Sequence, residues 1–255
     1  MGRGDTSIGG PAREFPSTLW SEIVRPAGIP ENQRRERLEK LIGRYWKPVY
    51  AYFRALGRST VEDAKDLTQE FFLRLMEREA FDDLDPGRGS FRGFLKRSAR
   101  NFRIDQARRE GARRPADGKR LFRLDEIRDE AEPPDGNGSP DGVFDREWKN
   151  AVMRASLDRL REKLEAGGRS REFEILSAYC LPAANPEESS RFLHGGLPAK
   201  TYQEVAQRLG LRHADVRKSL ERSRSELRAI VREEIGETVS RESDIDDEFR
   251  EMIGG

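Results

Sequence analysis

Apolar residues recur at three- and four-residue steps along most of the chain, which is the spacing of amphipathic α-helices. In the first half this pattern predicts helices over 19–24, 34–56, 61–79 and 91–110. In the second half it predicts helices from about Val143, over 171–179, after Thr201 and from about His213. We therefore expect an all-α fold.

Two stretches break the helical pattern. Proline, glycine and aspartate mix over 111–142, and proline, serine and glycine are frequent over 181–200, so we expect a linker and an inserted loop. The chain is predicted to form two small helical domains joined by a Pro/Gly-rich acidic linker. The expected divisions are an N-terminal extension (1–28), a first domain (29–114), a linker (115–142), a second domain (143–236) and an acidic C-terminal tail (237–255).

Local signals mark several helix ends. Thr60 with Asp63, and Thr201 with Glu204, have the spacing of capping boxes. Pro48 is expected to kink or break the helix in which it lies. A short helix after Thr201, a turn at Gly210 and a longer basic helix are the pattern of a helix-turn-helix, although any two-helix hairpin would look similar.

Positive charge is concentrated between residues 88 and 123. The whole chain has a net charge of +1, but this stretch holds 13 Lys and Arg against 3 Asp and Glu. Such an imbalance is typical of a surface that binds a polyanion, and nucleic acid is the usual one. A solvated helix face is the plainer alternative, but such a face usually interleaves both signs at four-residue spacing.

Composition narrows the function classes. With 37% charged and 35% hydrophobic residues, the chain favours small helical domains over one large core. One cysteine and two distant histidines give neither a disulfide framework nor a four-ligand zinc site, and no catalytic constellation is visible. No apolar run approaches the ~20 residues of a membrane span. We expect no enzyme activity, no cofactor, no metal and no membrane partner, and a cytoplasmic, nucleoid-associated protein.

The residues DLTQEFFLRL over 66–75 resemble conserved region two of bacterial RNA polymerase sigma factors. The stretch 91–110 resembles the segment that follows this core, and 201–228 resembles the region-four helix-turn-helix. The order and spacing of these segments resemble those of the small extracytoplasmic-function (ECF) type. The resemblance covers roughly 34–114 and 144–235.

The resemblance implies roles for particular residues. Asp66, Gln69 and Glu70 match positions that bind the clamp coiled coil of the largest subunit of core RNA polymerase. In the basic helix, the matched positions read or hold the melted minus-ten promoter element, with phosphates expected at the arginines Arg97, Arg100 and Arg103 and recognition at Asn101, Asp105, Arg108 and Arg109. Phe94 stands where many relatives have a stacking Trp, and it is either a stacking residue or a core residue.

In the second domain, the resemblance implies that the longer helix reads the minus-thirty-five element in double-stranded DNA. The residues that match or flank this reading surface are Arg212, His213, Asp215, Arg217, Lys218 and Arg222. Asp215 and Ser219 depart from the residues usual in the family, so the preferred sequence should differ.

The expected function is therefore that of a sigma factor: binding core polymerase, directing promoter recognition and helping to melt DNA. The resemblance also leaves room for an anti-sigma factor as a partner. An autonomous helix-turn-helix regulator is the alternative, and it would leave the 66–72 motif unexplained. The tail from Glu233 holds nine acidic and two basic residues, so it either solubilises the chain or folds back on a basic surface and inhibits it.

Overall fold

A computed structural model describes residues 18–24, 29–56, 60–77, 89–110, 139–180 and 201–254. These residues form nine α-helices and no strand, so the all-α fold is confirmed. In chain order the helices are α1 (Leu19–Val24), α2 (Glu31–Arg54), α3 (Val61–Glu77), α4 (Phe91–Glu110), α5 (Pro140–Ala166), α6 (Ser170–Cys180), α7 (Tyr202–Leu209), α8 (His213–Gly236) and α9 (Glu242–Gly254). The inserted loop expected over 181–200 and residues 115–138 of the expected linker (115–142) lie outside the described residues, whereas residues 140–142 form the first turn of α5.

The observed helix ends differ from the expected ones where proline is involved. α2 begins directly after Pro30, three residues earlier than expected, and it runs through Pro48 without ending. α5 begins at Pro140, where the missing N–H of proline costs nothing because first-turn N–H groups lack intrahelical partners. The Ser139 hydroxyl caps this helix by accepting a hydrogen bond from the N–H of Gly142 at 3.1 Å.

Both expected capping boxes are present. The N–H of Asp63 donates to the Thr60 hydroxyl and the N–H of Thr60 donates to the Asp63 carboxylate, which also holds the pKa of Asp63 below its usual value. The same reciprocal pair joins Thr201 and Glu204 at the start of α7. α7 ends at Gly210, whose φ of +63° is a left-handed conformation that favours glycine.

Aromatic side chains fill the space between α1, α2, α3 and α4. The Phe91 ring lies 5.0 Å from both Trp20 and Tyr45, measured between centroids, and Phe53 lies 5.7 Å from Phe102. Edge-to-face and tilted contacts at these distances are the preferred arrangements of aromatic pairs. α1, although it belongs to the predicted N-terminal extension, therefore contributes to the same core as the first domain.

The second half packs around α5, α6, α7 and α8, with buried Leu160, Leu176, Val205 and Leu220 between them. The most extensive helix contact in the described part of the chain joins α2 to α5. Through it, the buried residues of both halves form one continuous cluster. Composition favours separate small cores, but α5 packs along α2 and merges them. The predicted domain boundaries stay a prediction.

The acidic tail forms a helix. α9 carries buried Met252 on its inner side, with Ile245, Phe249 and Ile253 packed against the core. These four residues follow one another at steps of four, three and one, which is an apolar helix face of about two turns. The part of the tail described here is therefore folded onto the protein.

Candidate nucleic-acid interface

α4 presents three different sides. Phe91, Leu95, Ala99 and Phe102 form its buried side. The opposite, exposed side carries a stripe at four-, three- and four-residue steps, which we call the α4 stripe: Arg97, Asn101, Ile104 and Arg108. Three of these four residues are among those predicted to contact DNA, so the fold brings them together on one outer surface.

The other predicted DNA residues of α4 flank the stripe. Arg100 is exposed and donates to Asp141 of α5 at 2.7 Å. Arg103 and Asp105 are half-buried, and Asp105 lies 3.9 Å from Arg108. Arg109 lies within the helix, but its side chain is outside the described residues.

The third side of α4 is basic but already partnered. Arg92 donates to Glu248 of α9 and to Asp145 of α5, both at 2.7 Å, and its guanidinium lies 4.5 Å from the Trp148 ring centroid. Lys96 donates to the second oxygen of Asp145 at 2.7 Å. Burial works to lower the pKa of Arg92, but the two carboxylates outweigh it and leave that pKa above its usual value.

Phe94 is a core residue in this structure. It is buried, and its ring lies 5.5 Å from Trp20 and 6.1 Å from Phe91, between centroids. In this arrangement it has no open face on which a base could stack.

The three residues predicted to bind polymerase share one face of α3. Asp66 is exposed, and Gln69 and Glu70 are half-buried. Glu70 is also engaged within the protein: its carboxylate accepts hydrogen bonds from Arg74 on the same helix and from Gln106 on α4. Of the two carboxylates on this face, that of Asp66 is therefore the more open to a partner.

The start of α8 is exposed and carries paired charges. Arg212 donates twice to Asp215, at 2.7 and 3.0 Å, and this hydrogen bonding holds the pKa of Asp215 below its usual value. The exposed ring of His213 lies 5.8 Å from the Tyr202 ring, edge to face. All three predicted residues lie on one turn beside the end of α7.

Further along α8, Arg217 and Lys218 are exposed, and Arg217 lies 3.8 Å from Glu221. Arg222 is exposed and lies 3.0 Å from Glu172 of α6. Ser219 is buried among core residues. The side chain at this position, where the family usually has Arg, therefore does not reach the surface that the other residues share.

Two features of these surfaces were not predicted from the sequence. Ile104 is 46% exposed and is the exposed large hydrophobic residue of the described chain. The sequence could have indicated that Ile104 is exposed, because this residue does not lie on the apolar side defined by Phe91, Leu95 and Phe102. The pairing of Arg92 with Glu248 had no sequence signal, since the two residues are 156 positions apart.

Comparison with known proteins finds two similarities to sigma factors. The model of the family described as sigma-70 region 2 matches residues 41–113, which include the second half of α2 and all of α3 and α4. The chain is also 26% identical over 219 residues to the ECF RNA polymerase sigma factor SigE of Mycolicibacterium smegmatis, and this alignment covers 86% of the chain. No solved structure matches the chain significantly.

The resemblance to ECF-type sigma factors is thus confirmed, with region 2 as the part that the family model covers. The alignment covers 64% of the length of SigE. The α4 stripe and the Asp66 face both lie within the residues that match the region 2 model. No described helix has the length and apolarity needed to cross a membrane, and the described residues contain no cluster of metal-binding side chains.

Proposed function

We propose that this protein is an RNA polymerase sigma factor that binds core polymerase and directs promoter recognition and DNA melting. The observation that carries the proposal is the position of the α4 stripe within the matched region 2. An exposed row of arginines, an amide and an apolar side chain suits single-stranded DNA, which is bound by cations along its phosphates and by surfaces on which unstacked bases pack. Ile104 supplies the apolar surface that the buried Phe94 does not.

The second half supports the proposal with a different surface. Arg212, Arg217 and Lys218 are exposed at the start of α8, which follows the short α7 across a glycine turn. Such an arrangement suits insertion of a helix into the major groove of duplex DNA, where Arg and Lys pair with guanine edges. We assign the minus-thirty-five element to this surface and the melted minus-ten element to the α4 stripe.

Core polymerase would bind the face of α3. Asp66 offers an exposed carboxylate, and an acidic face complements a basic coiled coil. Glu70 is a poorer test residue, because its loss would also break contacts to Arg74 and to α4. Asp66→Lys should abolish core binding and keep the fold, whereas Glu36→Lys, the same kind of change at an exposed site on α2, should keep both.

Run-off transcription tests the function as a whole. The purified protein is added to bacterial core polymerase with a library of promoter fragments, and transcripts that depend on the protein are sequenced. We expect specific products that Asp66→Lys removes and Glu36→Lys retains. Full-strength, sequence-specific DNA binding without polymerase would instead indicate an autonomous helix-turn-helix regulator.

A further inference from the structure

A cavity of about 310 Å³ lies between α2, α5 and the end of α8. That volume is at the lower end of the range for small-molecule sites. Small residues make room for it: Ala151 and Ala155 lie one turn apart on α5, and a Cβ atom at Gly43 of α2 would have open space around it. Among the described residues that line this cavity, none belongs to the predicted DNA or polymerase surfaces. The proposed function thus leaves the cavity unexplained.

Two tryptophans give the cavity an aromatic lining. Trp46 comes from α2 and is half-buried, whereas Trp148 comes from α5 and is buried. Val152, one turn after Trp148, adds an aliphatic side chain. Ligand sites are lined mainly by such apolar and aromatic side chains, on which flat rings pack in stacked or edge-to-face contacts. The lining therefore suits a planar aromatic molecule.

Two buried donors of the cavity lining lack acceptors. Tyr45 and Trp148 are each only 2% exposed, and within the described part of the chain neither the Tyr45 hydroxyl nor the Trp148 indole N–H has a hydrogen-bond partner. Thr238 also lines the cavity, but its hydroxyl donates to the carbonyl of Ile235 at 2.8 Å. Buried donors without acceptors are costly and rare in folded proteins. An acceptor atom on a ligand would satisfy both groups.

Burial raises the pKa of Tyr45, which keeps its hydroxyl protonated and able to donate. Thr238 and Trp148 lie close enough to this hydroxyl to act against the rise, but neither makes a hydrogen bond to it. The acceptor should itself be neutral, because a carboxylate at this depth would lose its hydration without gaining a cationic partner in hydrogen-bond contact.

Charge at the cavity lining is mainly positive. Arg44 and Arg154 are exposed and Lys47 is half-buried. Of the described lining residues, Glu234 supplies the carboxylate, and it is already engaged: it accepts from Arg159 at 2.8 Å and lies 3.1 Å from Arg44. An anionic group on a ligand would be stabilised at these exposed cations, where it also keeps part of its hydration.

We propose that this cavity binds a small planar aromatic acid that carries a neutral acceptor oxygen away from its carboxylate. The acceptor oxygen takes hydrogen bonds from Tyr45 and Trp148, the ring packs on Trp46, and the carboxylate lies toward Arg154. This site goes beyond the proposed sigma-factor function and does not depend on it.

Three related compounds test the proposed chemistry on the full chain. Chromone-2-carboxylate has two fused rings, a ketone oxygen and a carboxylate. Naphthalene-2-carboxylate lacks the ketone, and chromone lacks the carboxylate. Isothermal titration calorimetry measures each Kd. A nitrogen-15 correlation spectrum resolves the indole N–H groups of the three tryptophans, and Trp148→Phe identifies the signal of Trp148.

Two variants remove one contact each. Tyr45→Phe deletes the hydroxyl and keeps the ring, and thermal unfolding should show no loss of stability because this hydroxyl has no partner within the described fold. Arg154→Gln deletes an exposed cation. Tyr50→Phe is the matched control, because Tyr50 is another buried tyrosine of α2 and is not among the residues that line the cavity.

We expect chromone-2-carboxylate to bind with a Kd below about 1 mM, as typical ligand efficiency gives for its size, and to move the indole signal of Trp148. Tyr45→Phe, and separately loss of the ketone, should each weaken binding about tenfold, the value of one hydrogen bond to a buried group. Naphthalene-2-carboxylate should therefore bind Tyr45→Phe and the unaltered protein equally. Arg154→Gln should weaken both acids but not chromone, and Tyr50→Phe should change nothing.

Three results would overturn the site. The first is no binding of chromone-2-carboxylate up to about 5 mM, well above the expected Kd. The second is binding that leaves the Trp148 signal in place, which would indicate adsorption of the acid to basic surfaces elsewhere. The third is an unchanged Kd for Tyr45→Phe, which would mean that the hydroxyl faces water rather than the ligand.

Discussion

α4 and α8 are both basic helices, but their charges are partnered in different ways. On α4, the partners of Arg92 are Asp145 and Glu248, which lie 53 and 156 residues away in the chain. On α8, Arg212 pairs with Asp215 and Arg217 approaches Glu221, within one turn of the same helix. The charges on the Arg92 side of α4 are thus part of the tertiary structure, whereas those at the start of α8 are local. Further along α8, Arg222 and Arg232 pair with Glu172 of α6 and Asp246 of α9.

The difference bears on how each helix can bind DNA. A local, exposed ion pair contributes little and is screened by salt, so a phosphate can replace the carboxylate without moving another element. A buried ion pair cannot be exchanged in this way, because separating it leaves a charge without its partner. On the proposed function, the exposed start of α8 can therefore bind DNA as it stands, whereas the ion pairs of Arg92 depend on how the two halves pack together.

The largest loss of stability should come from a change on the buried side of α4. Phe91 is fully buried against Trp20 and Tyr45. Phe91→Ala should lower the free energy of unfolding by about 3 to 5 kcal/mol, as for other large buried aromatics. Ile104→Ala, on the exposed side of the same helix, should change it by less than about 0.5 kcal/mol. Urea unfolding measures both, and equal effects would contradict the assignment of sides.

The next largest difference in stability should be between an ion pair of α4 and one of α8. Arg92→Gln leaves Glu248 and part of Asp145 without a cation, so we expect a loss of about 3 kcal/mol of stability. Arg217→Gln should cost less than about 0.5 kcal/mol, because its pair is exposed and long. Thermal unfolding of the two variants compares them directly. Similar small losses would mean that the α4 pairs are no more structural than those of α8.

Residues at the start of α8, which contribute little to stability, should matter more for DNA affinity. Lys218→Ala should weaken binding to a minus-thirty-five duplex about tenfold and reduce the slope of log affinity against log salt by about one. Arg161→Ala removes an exposed cation from α5 and serves as the control. Fluorescence anisotropy at several salt concentrations gives both quantities. An unchanged slope for Lys218→Ala would remove this residue from the interface.

The smallest effect concerns a partly buried pair in the second half. Hydrogen bonding from Arg169 holds the pKa of Glu226 below its usual value of 4.5. A lowered pKa means that the carboxylate stabilises the fold above pH 4.5 and that this contribution is lost as the pH falls through the folded-state pKa. Glu226→Gln should cost at most about 1 kcal/mol at pH 7 and less at pH 3.5. Glu162→Gln, an exposed site on α5, should show no such difference.

Local signals predicted much of the fold. The bounds of α1 and α4 agree with the expected ones, and both capping boxes are present, because period and capping depend on neighbours within a few residues. The apolar face of α9 was equally readable at Ile245, Phe249 and Met252, but the high acidic content of the tail left a solubilising tail and a folded one both open. In the tail, the helical period of the apolar residues indicated the folded helix, whereas the acidic composition did not.

Long-range contacts could not be predicted in this way. Nothing near Arg92 indicates that its partner is Glu248, and nothing near Phe94 distinguishes a core position from a stacking one. Both depend on which helices pack together, and that is decided by the whole core. The predicted DNA and polymerase residues stay predictions, although the structure places most of them on exposed faces.

Hydrogen bonds join the start of α1 to residues 237–239, and this long separation in the chain affects how the protein folds during synthesis. The N–H of Trp20 and the Thr18 hydroxyl find their acceptors on Glu237 and Val239, more than 200 residues later. At 5 to 20 residues per second, the ribosome needs roughly 10 to 40 s to make the intervening chain. During that time the N–H of Trp20 and the Thr18 hydroxyl lack these two acceptors. The first helix that the structure describes is therefore among the last to be fixed in place.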